Sequence, residues 1–210
     1  MRERVWYNPE LKSSHVMVPG VMGLILAIVT LVVMSISVVR EKEAGNLEQM
    51  VVTPIRPSQI IAGKIIPYVV IGLVDITLVV ITCGIIFKTP FEGSFLLLLT
   101  LSIFMILVNL GIGILISTVS ATQQQAMFSA IFFLMPNILL SGFLFPIKNM
   151  PEILQWLTYI IPMRYYMVII RGIFLKGLGL TELLFETTAL FVYGALIFIV
   201  AVLAFKKTAA

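Results

Sequence analysis

One carboxylate stands alone in the apolar part of this chain. Asp75 lies near the middle of a hydrophobic run from about residue 65 to 87. An ionisable group at the centre of a membrane helix costs about 2.5–3.5 kcal/mol on insertion scales and should face a bundle interior or water. Two roles are open to it. It can line a substrate path or act as an occluded switch, or it can hydrogen-bond between helices, to Asn109 or to Thr77 or Thr82 of a neighbouring copy. Asn109, midway along the next apolar run, raises the same choice.

The other polar chemistry is concentrated between Arg40 and Lys64. Arg40, Glu41, Lys42 and Glu43 follow directly on an apolar run that ends at Val38-Val39. From Glu41 to about Val52, Ala44, Leu47, Met50 and Val51 recur at helical spacing, while Glu41 and Glu48 share another side. The pattern predicts a short amphipathic helix, stopped by Pro54 and Pro57, with Ser58 capping the helix that follows. Tethered at both ends to spanning helices, it would lie flat on the membrane and pass a push into the bilayer. The plain alternative is a solvated loop whose charges fix topology.

Several reaction classes find no support. The phosphate-binding pattern G-x-x-x-x-G-K-[ST] is missing, since Gly63-Lys64 lacks its first glycine, so ATP binding by that mechanism is excluded. H-E-x-x-H and G-x-S-x-G are missing too, and no acid/base pair suits an intramembrane enzyme. Cys83 and His15 are each the only residue of their type, which rules out a disulfide framework and His- or Cys-based metal sites. Work against a gradient would need energy from a partner.

The elements that must position these residues are membrane helices. Of 210 residues, 60% are hydrophobic and 11% charged; soluble domains sit near 45–50% and about 25%. The expected fold class is all-α and polytopic, in one domain. The net charge of +4 is scattered at the ends of apolar runs, which suits lipid headgroups and not nucleic acid. Spans are predicted at about 18–39, 65–87, 95–117, 126–145 (with Pro136 inside it) and 187–205, each long enough for ~30 Å of hydrocarbon at ~1.5 Å per residue. Residues 1–16 are polar, carry Trp6 and Tyr7, and form no cleavable signal peptide. Pro151 and Pro162 cut the stretch before the last span into pieces of about 152–161 and 163–175, neither able to cross alone. Arg164 and Arg171, seven apart, share a face of the second piece, as in an interfacial or re-entrant helix. The competing reading is one proline-kinked span.

The chain resembles the ABC-2 type export permeases, the membrane subunits of ATP-driven exporters, and within them the bacterial multidrug type. The resemblance rests on Glu41-x-Glu43-x-Gly45-x-x-Glu48 with Thr53-Pro54. It extends to Met17-Val18-Pro19-Gly20, Gln123-Gln124-Gln125-Ala126, Leu140-Ser141-Gly142-Phe143, Phe145-Pro146-Ile147 with Asn149-Met150-Pro151, and Pro162-x-Arg164-Tyr165-x-x-x-Ile169-Ile170-Arg171-Gly172. Such permeases usually carry an earlier transmembrane helix and an external domain ahead of this point. Residues 1–16 would then be an external linker and 17–210 the transmembrane domain.

The resemblance implies a set of expectations. Arg40, Glu41, Glu43, Gly45, Leu47, Glu48 and Pro54 would form the loop that couples to the ATPase. Asp75 and Asn109, from their own place in apolar runs and not from the resemblance, are candidates for the transport pathway. Pro151, Pro162, Arg164 and Arg171 would belong to short helices dipping into the outer leaflet. The partners would be an ABC ATP-binding subunit, which holds ATP and magnesium, a second permease subunit, identical or not, and membrane lipid. The chain itself would hold no cofactor and no metal. It would sit in the bacterial inner membrane with the loop and C-terminus inside, an orientation that basic residues on both sides leave undecided. Hydrophobic or amphipathic, drug-like or lipid-like substrates would be exported. The alternatives are a truncated or split permease half, inert alone, and an ATP-independent channel or secondary transporter using Asp75.

Overall fold

The computed structural model describes residues 13–45, 57–86 and 91–208, and the whole of what it describes is helix and connecting turn. Seven α-helices follow in order: α1 Ser13–Glu43, α2 Pro57–Ile86, α3 Phe95–Val119, α4 Gln123–Leu140, α5 Glu152–Thr158, α6 Pro162–Lys176 and α7 Leu184–Thr208. Leu47, Glu48 and Pro54, with the rest of the predicted surface helix beyond Gly45, lie outside the described residues, as does the 1–12 part of the expected external linker.

Among the described residues, four helical segments are long and apolar enough to cross a membrane: Met17–Glu43, Gly63–Ile86, Phe95–Val119 and Leu180–Ala204. The spans expected at 18–39, 65–87, 95–117 and 187–205 fall on these. The helix at the fourth expected span, 126–145, starts and ends earlier, at Gln123–Leu140, and its 18 residues are not among these four. Its first turn is the polar Gln123-Gln124-Gln125, and it ends where Ser141 and Gly142 turn the chain, Gly142 at φ 79°. A left-handed residue of this kind closes helices because glycine carries no Cβ to clash.

The start of the loop needs a correction. The polar break after Val39 does not end the first helix, since α1 runs through Arg40, Glu41, Lys42 and Glu43. Arginine, lysine and glutamate are good helix formers, and basic side chains near a helix C-terminus suit its dipole. Ala44 and Gly45 then close it through Ala44 N–H to Arg40 O (3.0 Å) and Gly45 N–H to Lys42 O (3.2 Å), with Gly45 at φ 69°. Glu41 therefore belongs to α1, and the predicted amphipathic helix cannot start there; its part beyond Gly45 lies outside the described residues. Likewise α2 begins at Pro57, so Ser58 lies inside its first turn and does not cap it; proline's fixed φ suits that first helical position.

α3 is the axis of the bundle. Its buried residues, from Leu98 to Ser117, come from nearly all sides of the helix, and it packs most extensively on α1 and α7. Over the apolar windows, 56% of α3 and 50% of α1 is buried, against 17% of α2 and 11% of α7, which puts the last two at the rim. Two glycines let α3 sit this close. A Cβ on Gly111 would meet Ile197 of α7 at 2.6 Å, and one on Gly113 would meet Met34 and the Leu31 carbonyl of α1 at 2.9 and 3.1 Å. Small residues at such crossings let backbones approach where burial of apolar surface cannot drive association.

α5 and α6 are separate helices bent by 81° across Tyr159–Ile161. This is the expected broken pair, with Pro151 preceding α5 and Pro162 opening α6. The bend is fixed from several sides. The hydroxyls of Tyr165 and Tyr193 both donate to the Tyr159 carbonyl, at 2.9 and 2.7 Å. α6 is also packed into the bundle. Ten of its residues, among them Tyr166, Met167, Ile170 and Phe174, are buried against α1, α3 and α7. It is the lid of the bundle at the end opposite Glu43.

Candidate functional site

α1 and α3 run in the same sense with α2 returning between them, so the turns 40–45 and 117–125 meet at one end, together with the start of α2. The charged end of α1 ties all three neighbours. Glu41 pairs with Lys64 of α2. Lys42 donates to the Ser120 carbonyl at the C-cap of α3 (3.3 Å). Glu43 accepts from the Gln123 backbone N–H (3.0 Å) and from its side-chain amide, at the start of α4.

The last contact has a clear physical basis. The first N–H groups of a helix lack intrahelical partners, and negative charge is favoured there. At α4, Thr122 accepts from Gln125 N–H (3.2 Å) while Gln125 Oε1 accepts from Ala121 N–H (2.8 Å). Glu43 supplies the charge from another helix. Its carboxyl is held below its ordinary value of 4.5, chiefly by the Gln123 side-chain hydrogen bond and then by the backbone one. Of the residues expected to couple, Glu41 and Glu43 thus brace the bundle from within, Gly45 closes α1, and Arg40 remains exposed. Lys64, Ser120 and Gln123 complete the junction. Gln123 had only the pattern Gln-Gln-Gln at a turn to mark it, and Lys64 and Ser120 had no local signal at all.

The two residues expected on a pathway part company. Asn109 is 4% exposed and donates to Thr30 Oγ1 of α1 (3.0 Å), while Thr30 donates to the Leu26 carbonyl (2.6 Å). This interhelical bond fits the packing role. Asp75 does not bond to Asn109. Its Oδ2 is buried and has no hydrogen-bond partner among the described residues. One turn from Asp75, Gly72 packs against Thr30 and Ile106. The Tyr166 hydroxyl, by contrast, shares a 2.9 Å hydrogen bond with Ser102. Two separate polar pairs therefore lie in the core, Thr30–Asn109 and Ser102–Tyr166.

The arginines of the broken pair are structural clamps. Arg164 donates to Thr158 Oγ1 and lies 3.7 Å above the Tyr159 ring, holding the bend. Arg171 donates to the carbonyls of Gly142 (3.0 Å) and Phe143 (3.3 Å), just past the end of α4. Among the described residues, no group of three or more His, Cys, Asp or Glu could hold a metal ion.

Comparison with known proteins agrees with this architecture. The family described as ABC-2 type transporter matches residues 4–175. The chain is 40% identical over 178 residues to the probable multidrug ABC transporter permease YbhR of Escherichia coli K12, covering 84% of this chain and 48% of that protein. It is 35% identical over 180 residues to the probable multidrug ABC transporter permease YbhS of the same strain, covering 84% and 47%. It is 29% identical over 215 residues to the inner membrane transport permease YhhJ, covering 99% and 56%. The chain spans about half the length of these relatives. With a family match over most of its residues and the helical bundle just described, this membrane protein belongs to the ABC-2 type transporter family.

Proposed function

We propose that the chain forms the membrane path of an ATP-driven exporter of the multidrug kind, powered by a separate ATP-binding subunit. The observation that carries this is the junction at the Glu43 end. Three short-range contacts make the end of α1 a single mechanical piece with α2, α3 and α4. A push delivered to the connection after Gly45 reaches all four helices together. ATP and magnesium stay in the partner, where closure of the ATP-binding subunits supplies that push.

The remaining assignments follow from that reading. A second permease subunit, identical or not, faces this one across the pathway, and lipid covers the apolar rim of α2 and α7. The protein lies in the bacterial inner membrane with the Glu43 end inside, and the Tyr159 end, closed by α5 and α6, opens outward. Asp75, at the inner edge of α2, lies on the path, while Asn109 holds α1 to α3. The coupling contacts themselves lie between Arg40 and Pro54, with Leu47 and Glu48 meeting the ATPase and Glu41 and Glu43 transmitting the load.

The test is copurification from membranes with the candidate ATPase, followed by ATP hydrolysis and export. Leu47→Ala/Glu48→Ala should lose the ATPase. Glu41→Ala/Glu43→Ala should keep it and lose export. A folded wild-type protein that binds no ATPase, even when the second permease subunit is supplied, overturns the reading.

A further inference from the structure

α5 is short, yet it carries two different stripes side by side. Ile153, Trp156, Leu157 and Ile160 recur at helical spacing and are 77%, 75%, 44% and 65% exposed, so this face turns away from the bundle. An apolar face of that kind, with a tryptophan in it, belongs at the boundary of lipid and headgroup. Glu152, Gln155, Trp156 and Tyr159, offset from it by one residue, line a pocket of about 380 Å³. Trp156 stands in both sets, so the pocket opens beside the lipid-facing stripe.

The lining residues set the chemistry of an occupant. Glu152 supplies a carboxylate, and no lysine or arginine among the described residues lies within ion-pair distance of it. Gln155 donates its side-chain amide to the Met150 carbonyl (2.8 Å), which leaves the amide oxygen to accept. Trp156 and Tyr159, with ring centroids 6.0 Å apart, add aromatic walls. Carboxylate, amide oxygen and aromatic rings together suit an ammonium group, whether it carries N–H donors or methyl groups. Arg164 lies 3.7 Å from the centroid of the Tyr159 ring, so a guanidinium stands against one wall of the pocket. That charge disfavours a bare cation and favours one that brings its own anion.

We infer that the side of α5 is a headgroup site for zwitterionic ammonium phospholipids in the membrane at the Tyr159 end. The ammonium enters beside Glu152 and Trp156, the phosphate stays toward Arg164, and the acyl chains lie along Ile153, Leu157 and Ile160. An anionic glycerol headgroup has no cation to offer Glu152 and meets it with the wrong sign. The site stands on the chain's own residues and needs neither the ATPase nor export.

Trp6→Phe leaves Trp156 as the single tryptophan, whose fluorescence then reports on the site. The full chain with this change is placed in bilayers of equal parts phosphatidylcholine and phosphatidylglycerol, with quenching bromine on the chains of one lipid or of the other. The bilayer composition is the same in both, so only selectivity can change the quenching. Association at Trp156 should favour the choline lipid by roughly threefold, the size expected of an exposed cation–π contact. Phosphatidylethanolamine in its place should give a preference of the same sense. Glu152→Gln should bring the two lipids toward equality, and Glu152→Asp should keep the preference. A carboxylate that served only the start of α5 would change stability and leave the lipid preference where it was. Equal quenching by the two lipids in the parent chain, or a preference that survives Glu152→Gln, overturns the inference. The parent comparison decides even where a Glu152 variant does not fold.

Discussion

Glu43 and Gln123 lie 80 residues apart in the chain, and the carboxylate of the first holds the helix start of the second. Because Gln123 bonds lower the Glu43 carboxyl below its ordinary value of 4.5, the contact favours the folded state only while Glu43 is ionised. Its stabilisation is complete above that ordinary value and is lost as pH falls through the lower, folded one. Thermal unfolding in detergent between about pH 6 and about pH 3 should therefore show a steeper loss for wild type than for Glu43→Gln, which keeps an acceptor but cannot titrate. Parallel curves would mean that the contact carries no stability.

The closest approach of α1 and α3 gives a second prediction. At Gly113 a methyl group would meet the Leu31 carbonyl at 3.1 Å, and backbone cannot rotate away as a side chain can. Gly113→Ala should destabilise by about 1–3 kcal/mol, the usual range for overpacking. Gly63 of α2 has nothing within 4 Å of the same position. There the alanine should stabilise by roughly 0.5–1 kcal/mol through helix propensity. Thermal unfolding of both variants checks the pair, and equal shifts of the same sign would refute it.

Much of this was legible in the chain because membrane helices announce themselves by length and hydropathy alone. α1, α2, α3 and α7 fall where the apolar runs fall, and Pro151 and Pro162 mark the broken pair. Helix ends were less legible. Nothing in Arg40–Glu43 says whether a helix stops at the membrane surface or continues beyond it, since the same residues favour both. The triple glutamine hid the start of α4 by reading as a turn. The site was half visible: Asp75 and Asn109 stand out as polar residues in apolar runs, but which of them finds a partner depends on how three helices pack. No spacing along the chain pairs Asn109 with Thr30 or Glu41 with Lys64.

The Thr30–Asn109 bond should be worth little even though both groups are buried. Interhelical hydrogen bonds within membranes average about 0.6 kcal/mol in double-mutant cycles, because the unfolded chain in the membrane finds partners too. A cycle with Thr30→Val and Asn109→Leu should return a coupling near this value, with export reduced only in proportion to protein level. A large export defect in stable Asn109→Leu protein would place Asn109 on the path after all.

Arg171 offers the sharpest distinction between charge and geometry. It sits on α6, yet it reaches the carbonyls of Gly142 and Phe143, at 3.0 and 3.3 Å, where the end of α4 leaves oxygens without helical partners. Two adjacent carbonyls suit the planar fork of a guanidinium. An ammonium is a single point of charge and cannot serve both in the same geometry. Arg171→Lys should therefore loosen the Ser141–Met150 segment, seen as faster proteolysis there, although the charge is unchanged. Arg171→Met, which removes both bonds, should lose about 1.5–3 kcal/mol, the range for hydrogen bonds to charged groups. If lysine performs as well as arginine in both measurements, the positive charge alone is what α6 contributes. The α4 end would then be held by packing, through Phe143 against Gly20 of α1 and Ile147 against Gly142.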